Sequence, residues 1–156
     1  IGPVIDEASA KRIDGWMEAA IRGVAKALVR GKRTGNLLGA SLLRDVPLDA
    51  DLFRKEAFRP VACIEAFYDF DQAIARVNDS DFGLAAYAYT RDLSGAWRVA
   101  EALEYGIVGI NDGLPTGNAP HVPFGGMKNS GLGREGGHWG LDEYLETKFI
   151  GMALEQ

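Results

Sequence analysis

The single cysteine, Cys63, is the side chain of this sequence that could most readily act as a nucleophile. It lies inside the apolar segment 60–67, and no base adjoins it in the sequence. A reactive thiol needs exposure and a pKa lowered by a cation, a histidine or a helix N-terminus. The sequence therefore predicts a buried, unreactive cysteine, and no catalytic residue is assigned.

The two histidines, His121 and His138, lack metal-ligand spacing with each other and with any pair of acids. Ser130 could pair with a histidine in a hydrolase if it occupied a G-x-S-x-G turn after a strand, but the surrounding residues do not form that motif. The sequence therefore predicts neither a metal site nor a hydrolase.

Residues 131–136 (GLGREG) match G-x-G-x-x-G, the pattern of a phosphate-binding turn in dinucleotide-binding domains. That function requires a strand directly before the pattern, a helix after it and an acid about 20 residues later. Residues 123–130 are not predicted as a strand, and the sequence ends at Gln156. We favour glycines that allow close backbone packing, with a small dinucleotide-binding protein as the alternative.

Glu56 precedes the strongest predicted strand and lies close to Phe58 and Pro60. An acid at such a position is by default a solvated turn residue, because acidic side chains are mostly exposed. The neighbouring aromatic ring and the fixed φ of Pro60 could instead hold the carboxylate beside a flat ring. Glu56 is therefore a candidate binding residue.

Alternating helices and strands must position these residues. Asp6 and Asp69 each precede a helical pattern and are predicted N-caps, and a third helix is predicted to start at Asp92. Strands are predicted at 25–29, 37–43, 60–67, 84–89 and 106–110. This order predicts an α/β fold with a mainly parallel sheet covered by helices on both faces. The inward face of the helix after Asp92 is predicted to comprise Leu93, Ala96, Trp97, Ala100 and Leu103.

The last third of the chain is rich in glycine, and residues 111–140 show no convincing periodicity. A structured loop of that length is usually functional or disordered. A short helix is expected near Trp139, and a final strand is expected from Thr147 to Leu154.

The composition excludes several classes of protein. The chain has 156 residues, with 17 Lys and Arg against 22 Asp and Glu, and a formal net charge of −5. The acidic balance argues against nucleic acid or an anionic membrane as a partner. No segment approaches the ~20 apolar residues of a membrane span, and no signal peptide is recognised. A soluble, cytoplasmic protein is expected, and the start at Ile1 suggests the middle of a larger polypeptide.

Four segments together resemble the C-terminal part of an aldehyde dehydrogenase. They are 55–60 (KEAFRP, family EExFGP), 78–85 (NDSDFGLA, family NDxxYGLA), 106–111 (GIVGIN, family GxVxxN) and 123–136 (PFGGMKNSGLGREG, family PFGGxKxSGxGRE). Lys55 and Arg59 depart from the family pattern. Within the family, 102–111 and 143–148 most resemble the succinate-semialdehyde dehydrogenase branch.

The resemblance implies an NAD- or NADP-dependent oxidation of an aldehyde, with succinate semialdehyde expected, to a carboxylate. By their positions in the motifs, Glu56 would bind the hydroxyls of the nicotinamide ribose and Phe58 would pack near the nicotinamide. Asn111 and Phe124 would shape the aldehyde pocket, and Thr116 would bind the substrate carboxylate.

The resemblance also implies that residues 1–146 are part of a catalytic domain and that 147–156 form a strand used for homo-oligomerisation. The family's cofactor domain, nucleophilic cysteine and general-base glutamate precede this segment, so the chain alone is expected to be inactive. Strands apolar on both faces need cover, so self-association or an exposed apolar patch is also expected. The alternative is a non-catalytic assembly module of the same fold.

Overall fold

A computed structural model describes residues 2–113 and 120–153. The chain divides into two compact units, Ile1–Tyr68 and Asp69–Gln156. Thr116, one of the predicted substrate-binding residues, lies outside the described residues.

The first unit begins with helix α1 (Glu7–Gly23). Asp6 caps this helix as predicted, because its side chain accepts a hydrogen bond of 2.6 Å from the Ser9 N–H. That bond is the main reason why the pKa of Asp6 lies below its ordinary value. The helix buries Ala10, Ile13, Met17 and Ala20, which recur along one face.

The first unit also contains a three-stranded sheet in the order β1 (Lys26–Val29), β4 (Ser41–Arg44) and β5 (Val61–Ile64). Strands β1 and β4 are antiparallel, and β4 and β5 are parallel. A two-stranded hairpin of β2 (Arg33–Thr34) and β3 (Leu37–Leu38) precedes β4, and the short helix α2 (Asp51–Arg54) precedes β5.

The strand predicted at 37–43 is two strands, β3 and β4, joined at Gly39. At this junction the backbone passes so close to Gly31 that a Cβ on Gly39 would lie 2.9 Å from the Gly31 Cα. Two glycines are needed for this approach. The alternation of residue types along the sequence does not reveal the break between β3 and β4, because the break depends on a contact with a separate segment.

The core of the first unit combines buried residues of α1, β3, β4 and α2. Its fully buried large side chains are Ile13, Met17, Leu38 and Leu43. Trp16, Ala57 and Cys63 are partly buried and pack against this cluster.

The second unit contains helices α3 (Phe70–Asn78), α4 (Leu93–Ala102) and α5 (Trp139–Asp142). Its strands are β6 (Phe82–Gly83), β7 (Ala85–Ala88), β8 (Ile107–Ile110) and β9 (Met127–Lys128). Strands β7 and β8 are parallel, and β6 and β9 are antiparallel. The side chain of Asp69 caps α3 as predicted, and that of Asp92 caps α4 at the predicted helix start.

The predicted inward face of α4 is wrong in part. Leu93 is 73% exposed and Trp97 is 64% exposed, whereas Val99 is 6% exposed. Helix α4 contacts β8, its buried residue is Val99, and Ala96, Ala100 and Leu103 of the predicted face are half-buried. Small side chains let a helix lie close to a strand, so size, and not only apolar spacing, determines which face is buried.

The α/β organisation is present, but the pairing is more mixed than predicted. The described residues form four separate small sheets, two of which contain a parallel pair. Strand β8 alternates buried and half-buried residues and is not covered fully on both faces. Residues 145–153 form neither helix nor strand. A strand requires a neighbouring edge, so the strand predicted from Thr147 is not formed within the described part of this chain, and its role in oligomerisation stays a prediction.

Candidate functional site

The predicted cofactor-binding residues lie in the loop 55–60 of the first unit, between α2 and β5. Glu56 is exposed, and Phe58 is 79% exposed with a φ of 50°. Between them, Ala57 packs against the core. The loop therefore presents the Glu56 carboxylate and the Phe58 ring to solvent, while Ala57 between them holds the backbone against the core.

The C-terminal end of this loop is tied to the sheet. The Pro60 carbonyl accepts a hydrogen bond of 2.9 Å from the Ser41 N–H at the start of β4. The Nε of Arg59 is buried and has no hydrogen-bond partner among the described residues. A buried donor without a partner costs free energy, because it has lost its hydrogen bonds to water.

Asn111, predicted to shape the substrate pocket, lies at the end of β8 with a φ of 56°. Its Oδ1 accepts a hydrogen bond of 2.8 Å from the Thr90 N–H, and its Nδ2 donates one of 2.8 Å to the Thr90 carbonyl. The side-chain amide thus continues the pairing of β7 and β8 beyond the last strand residue. The structure gives Asn111 this bracing role, which sequence analysis did not predict.

Phe124, also predicted to line the substrate pocket, pairs with Glu135 in an antiparallel bridge. Two backbone hydrogen bonds, of 2.8 and 2.7 Å, join the two residues. Phe124 is 39% exposed and borders a cavity of about 220 Å³, whose other walls include Leu84, Ser130 and Arg134. Asn111 does not border this cavity.

The motif 123–136 holds its own shape through Arg134 and Ser130. The Arg134 Nη1 donates to the carbonyls of Gly126 and Gly133, at 2.8 and 2.7 Å. The Ser130 Oγ accepts a hydrogen bond of 3.0 Å from the Gly83 N–H at the end of β6. Sequence analysis missed both roles, although both residues are fixed positions of the matched motif.

A second contact ties this motif to the segment 78–85. The Lys128 Nζ donates to the Asn78 carbonyl at 2.6 Å and lies 3.0 Å from a carboxylate oxygen of Glu104. Asn78 in turn donates to the Ala102 carbonyl through its Nδ2, and its Oδ1 accepts from the Glu104 N–H. Two of the motifs that carried the resemblance are therefore one hydrogen-bonded framework.

The dinucleotide-binding interpretation of residues 131–136 is wrong. These residues form a loop, and α5 begins only at Trp139 and has four residues. Gly133 and Gly136 have φ values of 79° and 80°, and a Cβ on Gly136 would overlap the Val122 carbonyl oxygen. The glycines serve close backbone packing, as the favoured interpretation predicts.

Cys63 lies on β5, half-buried against the core. Burial raises the pKa of the thiol, because a low-dielectric environment disfavours the thiolate. A cysteine in this environment is a poor nucleophile.

No group of three or more His, Cys, Asp or Glu side chains that could hold a metal occurs among residues 2–113 and 120–153. The ring of His138 is stacked on Trp139, with 3.8 Å between the centroids. In the same two ranges, none of the helices has the length and apolar character to span a membrane.

The structure thus places Glu56 and Phe58 together in one unit and Asn111 and Phe124 at separate positions of the other. Both units expose motif residues on loops that are fixed by hydrogen bonds and packing. These arrangements suit binding and positioning of a ligand, and they contain no activated nucleophile among the described residues.

Comparison with known proteins identifies the class to which these motifs belong. The sequence matches the model of the aldehyde dehydrogenase family over residues 1–150. The chain belongs to the aldehyde dehydrogenase family, and its α/β fold is the fold of that family.

The relatives are longer enzymes. The chain is 45% identical to the NADP(+) succinate-semialdehyde dehydrogenase GabD of Escherichia coli K12, with 99% of this chain and 32% of that protein aligned. It is 46% identical to glutarate-semialdehyde dehydrogenase of Pseudomonas putida KT2440, over 96% of this chain and 31% of that protein. Aldehyde dehydrogenase 21 from Physcomitrella patens, solved in complex with the reaction product succinate, matches with a TM-score of 0.88 at 36% identity, over 95% of this chain and 31% of that one. The chain spans about a third of the length of these relatives.

Proposed function

We propose that this chain is the C-terminal part of an NAD(P)-dependent aldehyde dehydrogenase that oxidises a semialdehyde to the carboxylate. Succinate semialdehyde is the leading candidate for the substrate. The relatives named for succinate and glutarate semialdehydes support this substrate class, because both compounds carry a carboxylate at the end opposite the aldehyde. The observation that carries the proposal is the match of the family over residues 1–150 together with the exposed pair Glu56 and Phe58.

The exposed pair fits a nicotinamide nucleotide. When bound, such a cofactor accepts a hydride from the substrate. Glu56 offers two carboxylate oxygens that can accept hydrogen bonds from the ribose hydroxyls. The exposed ring of Phe58 offers a flat apolar face for the nicotinamide. We propose NAD or NADP as the cofactor of the complete enzyme.

In the second unit, we propose that Phe124 supplies an apolar wall of the aldehyde pocket and that Asn111 fixes the adjoining loop. The amide of Asn111 braces β7 against β8 and so defines where residues 112 onward leave the sheet. Thr116 is proposed to bind the distal carboxylate through its hydroxyl.

The chain alone is proposed to be inactive, because its one cysteine is half-buried and its thiol pKa is raised. The test measures aldehyde-dependent NAD(P)H formation by the isolated 156-residue chain and by the longest polypeptide that its gene encodes. We expect no turnover from the chain alone and turnover of succinate semialdehyde by the longer polypeptide. In both, Cys63→Ser should leave the rate unchanged.

Turnover by the isolated chain that is lost in Cys63→Ser would refute the assignment of Cys63 as a structural residue. Absence of NAD(P)-dependent turnover with any semialdehyde, in a longer polypeptide shown to be folded, would refute the proposed activity.

A non-catalytic assembly module of the same fold is the second candidate. The observation that favours it is the exposure of apolar side chains in the segment 144–152, where Tyr144 is 88% and Phe149 is 92% exposed. In this case the polypeptide would associate with a second copy and show no turnover. The proposed strand 147–156 would supply the contact in either case.

A further inference from the structure

The loop 55–60 holds Phe58 in a conformation that a bulky side chain rarely adopts. Phe58 has a φ of 50° and is 79% exposed, so contacts of its own ring do not account for its position. Such a residue persists only where the surrounding structure fixes the backbone. Ala57 packs on the core, and Pro60 is bonded to β4. The loop also needs an anchor before Glu56.

Lys55 supplies this anchor. Its Nζ lies 2.9 Å from the Asp51 Oδ1 and 5.8 Å from the centre of the Trp16 ring. Trp16 projects from α1 and packs against the core, and the guanidinium carbon of Arg12 lies 5.4 Å from the same ring. A cation over an indole ring is attracted by the negative face of the ring. Lys55 therefore connects the loop to α1.

The charge of Lys55 is essential to these contacts. Residue 55 is one of the two positions at which the segment 55–60 departs from the family pattern, which has a glutamate there. In this structure, a glutamate at position 55 would be repelled by the Asp51 carboxylate and by the face of the Trp16 ring. The lysine at position 55 therefore makes contacts with α1 and α2 that a glutamate would not make.

We propose that Lys55 is a positioning residue whose contacts with Trp16 and Asp51 fix the loop that carries Glu56 and Phe58, and so set the affinity for the nicotinamide cofactor. This inference rests on the proposed function, and it names residues of this chain that act on cofactor binding without touching the cofactor.

The first test measures the loop itself in the 156-residue chain by hydrogen exchange of the backbone amides at 56–59. Lys55→Ala and Trp16→Leu should each accelerate exchange in this loop, and Lys55→Arg should exchange like the wild type. The matched control is Lys11→Ala, which removes a lysine–carboxylate pair of the same length, 2.9 Å, between residues also four positions apart, and Lys11 is not one of the two cations that lie over the Trp16 ring. Equal exchange in Lys55→Ala and Lys11→Ala would overturn the proposal.

The second test uses the complete enzyme that contains this chain. Lys55→Ala should raise the KM and Kd for NAD(P)+ roughly three- to tenfold and change kcat at saturating cofactor by less than about twofold. Lys55→Arg should restore the wild-type KM. The double variant with Trp16→Leu should be no worse than the worse single variant, because the two residues act through one contact.

An unchanged KM for the cofactor in Lys55→Ala, or additive effects of the two substitutions, would refute the positioning role. These outcomes are distinct from failure of the proposed function, in which the wild-type enzyme itself shows no NAD(P)-dependent turnover.

Discussion

Phe58 shows how one residue combines exposure with backbone strain. Its φ of 50° lies in the left-handed region, which costs an L-residue about 1–2 kcal/mol. Little burial offsets this cost, because the side chain is 79% exposed. Residues in strained conformations cluster at functional sites. The strain agrees with the proposed role of Phe58 in cofactor binding.

We predict that Phe58→Gly changes the free energy of unfolding by less than about 1 kcal/mol, because the released strain and the added chain entropy offset each other. Phe58→Val should be less stable than Phe58→Gly by about 1–2 kcal/mol, since a β-branched residue is strained at this φ. Urea unfolding of the two variants measures the difference. Equal stabilities would show that the left-handed conformation is not maintained.

Both variants should weaken NAD(P)+ binding by the complete enzyme, because both remove the aromatic ring. A cofactor Kd that stays at the wild-type value in both would exclude Phe58 from the cofactor site.

At the scale of elements, the segment after β1 is attached to α1 through Asp14. The Arg33 Nε lies 3.2 Å from the Asp14 Oδ2, and Arg30 pairs with the Asp14 Oδ1. Burial raises the pKa of Asp14, but hydrogen bonds from Arg30 and Arg33 outweigh it, so the pKa of this carboxyl is below its ordinary value. The cluster therefore depends on an ionised Asp14.

A carboxyl whose pKa is lower in the folded state adds stability above its unfolded pKa, and this stability is lost as the pH falls through the folded pKa. We predict that the first unit loses stability below about pH 4 and that Asp14→Asn reduces this loss. At pH 7, Asp14→Asn should cost about 2 kcal/mol, because it weakens two hydrogen bonds to charged groups. Fluorescence of Trp16, in a background with Trp97→Phe and Trp139→Phe, follows this unit.

Glu18→Gln is the control for Asp14→Asn. The Glu18 Oε2 lies 3.7 Å from the Arg22 Nη1, and the Glu18 side chain is 57% exposed. Loss of this ion pair should therefore lower the free energy of unfolding by less than about 0.5 kcal/mol at pH 7. An equal effect of the two substitutions would contradict the special role of Asp14.

In the second unit, Gly106 precedes β8 where the backbone passes against the motif 123–136. A Cβ on Gly106 would overlap the Gly125 carbonyl oxygen. We predict that Gly106→Ala destabilises the chain by about 1–3 kcal/mol through overpacking. Thermal unfolding monitored by circular dichroism measures this change.

Gly15→Ala should have the opposite sign. Gly15 lies inside α1, and a Cβ there would meet nothing within 4 Å. Alanine should therefore stabilise the helix by about 0.5–1 kcal/mol. If both substitutions had the same sign, the close approach at Gly106 would not be the cause of its effect.

At the scale of the whole molecule, many large apolar side chains remain exposed. In the segment 144–152, Leu145 is 70%, Ile150 is 71% and Met152 is 81% exposed. Contiguous exposed apolar surface marks sites of association in soluble proteins. The expected self-association of the chain stays a prediction, which this exposure supports.

We predict that the isolated chain sediments as an oligomer and that Phe149→Ser with Ile150→Ser shifts it towards a monomer without changing its circular dichroism. The matched control is Leu132→Ser, since Leu132 is 102% exposed but lies outside the segment 144–152. Analytical ultracentrifugation separates these cases. A wild-type chain that is monomeric at high concentration, or a Leu132→Ser variant that dissociates equally, would refute an association through the C-terminal segment.

The sequence alone was sufficient for the features that depend on neighbouring residues. The caps Asp6 and Asp69 and the helix start at Asp92 were predictable, because an aspartate at a cap bonds an N–H only three residues further along the chain. The family was recognisable because its motifs keep their residue types and order. For Cys63 the apolar run around it predicted burial, and the side chain is half-buried, because only one face of β5 packs against the core.

Only the tertiary structure decided which segments meet. The inward face of α4 depends on the space beside β8, and the break between β3 and β4 depends on the approach of Gly31 to Gly39. The bracing by Asn111 joins residues 21 positions apart. Likewise, the contact of Lys55 with Trp16 joins a loop to a distant helix. Periodicity carries no information on such contacts, because their geometry is set by the packing of elements that are separate in the sequence.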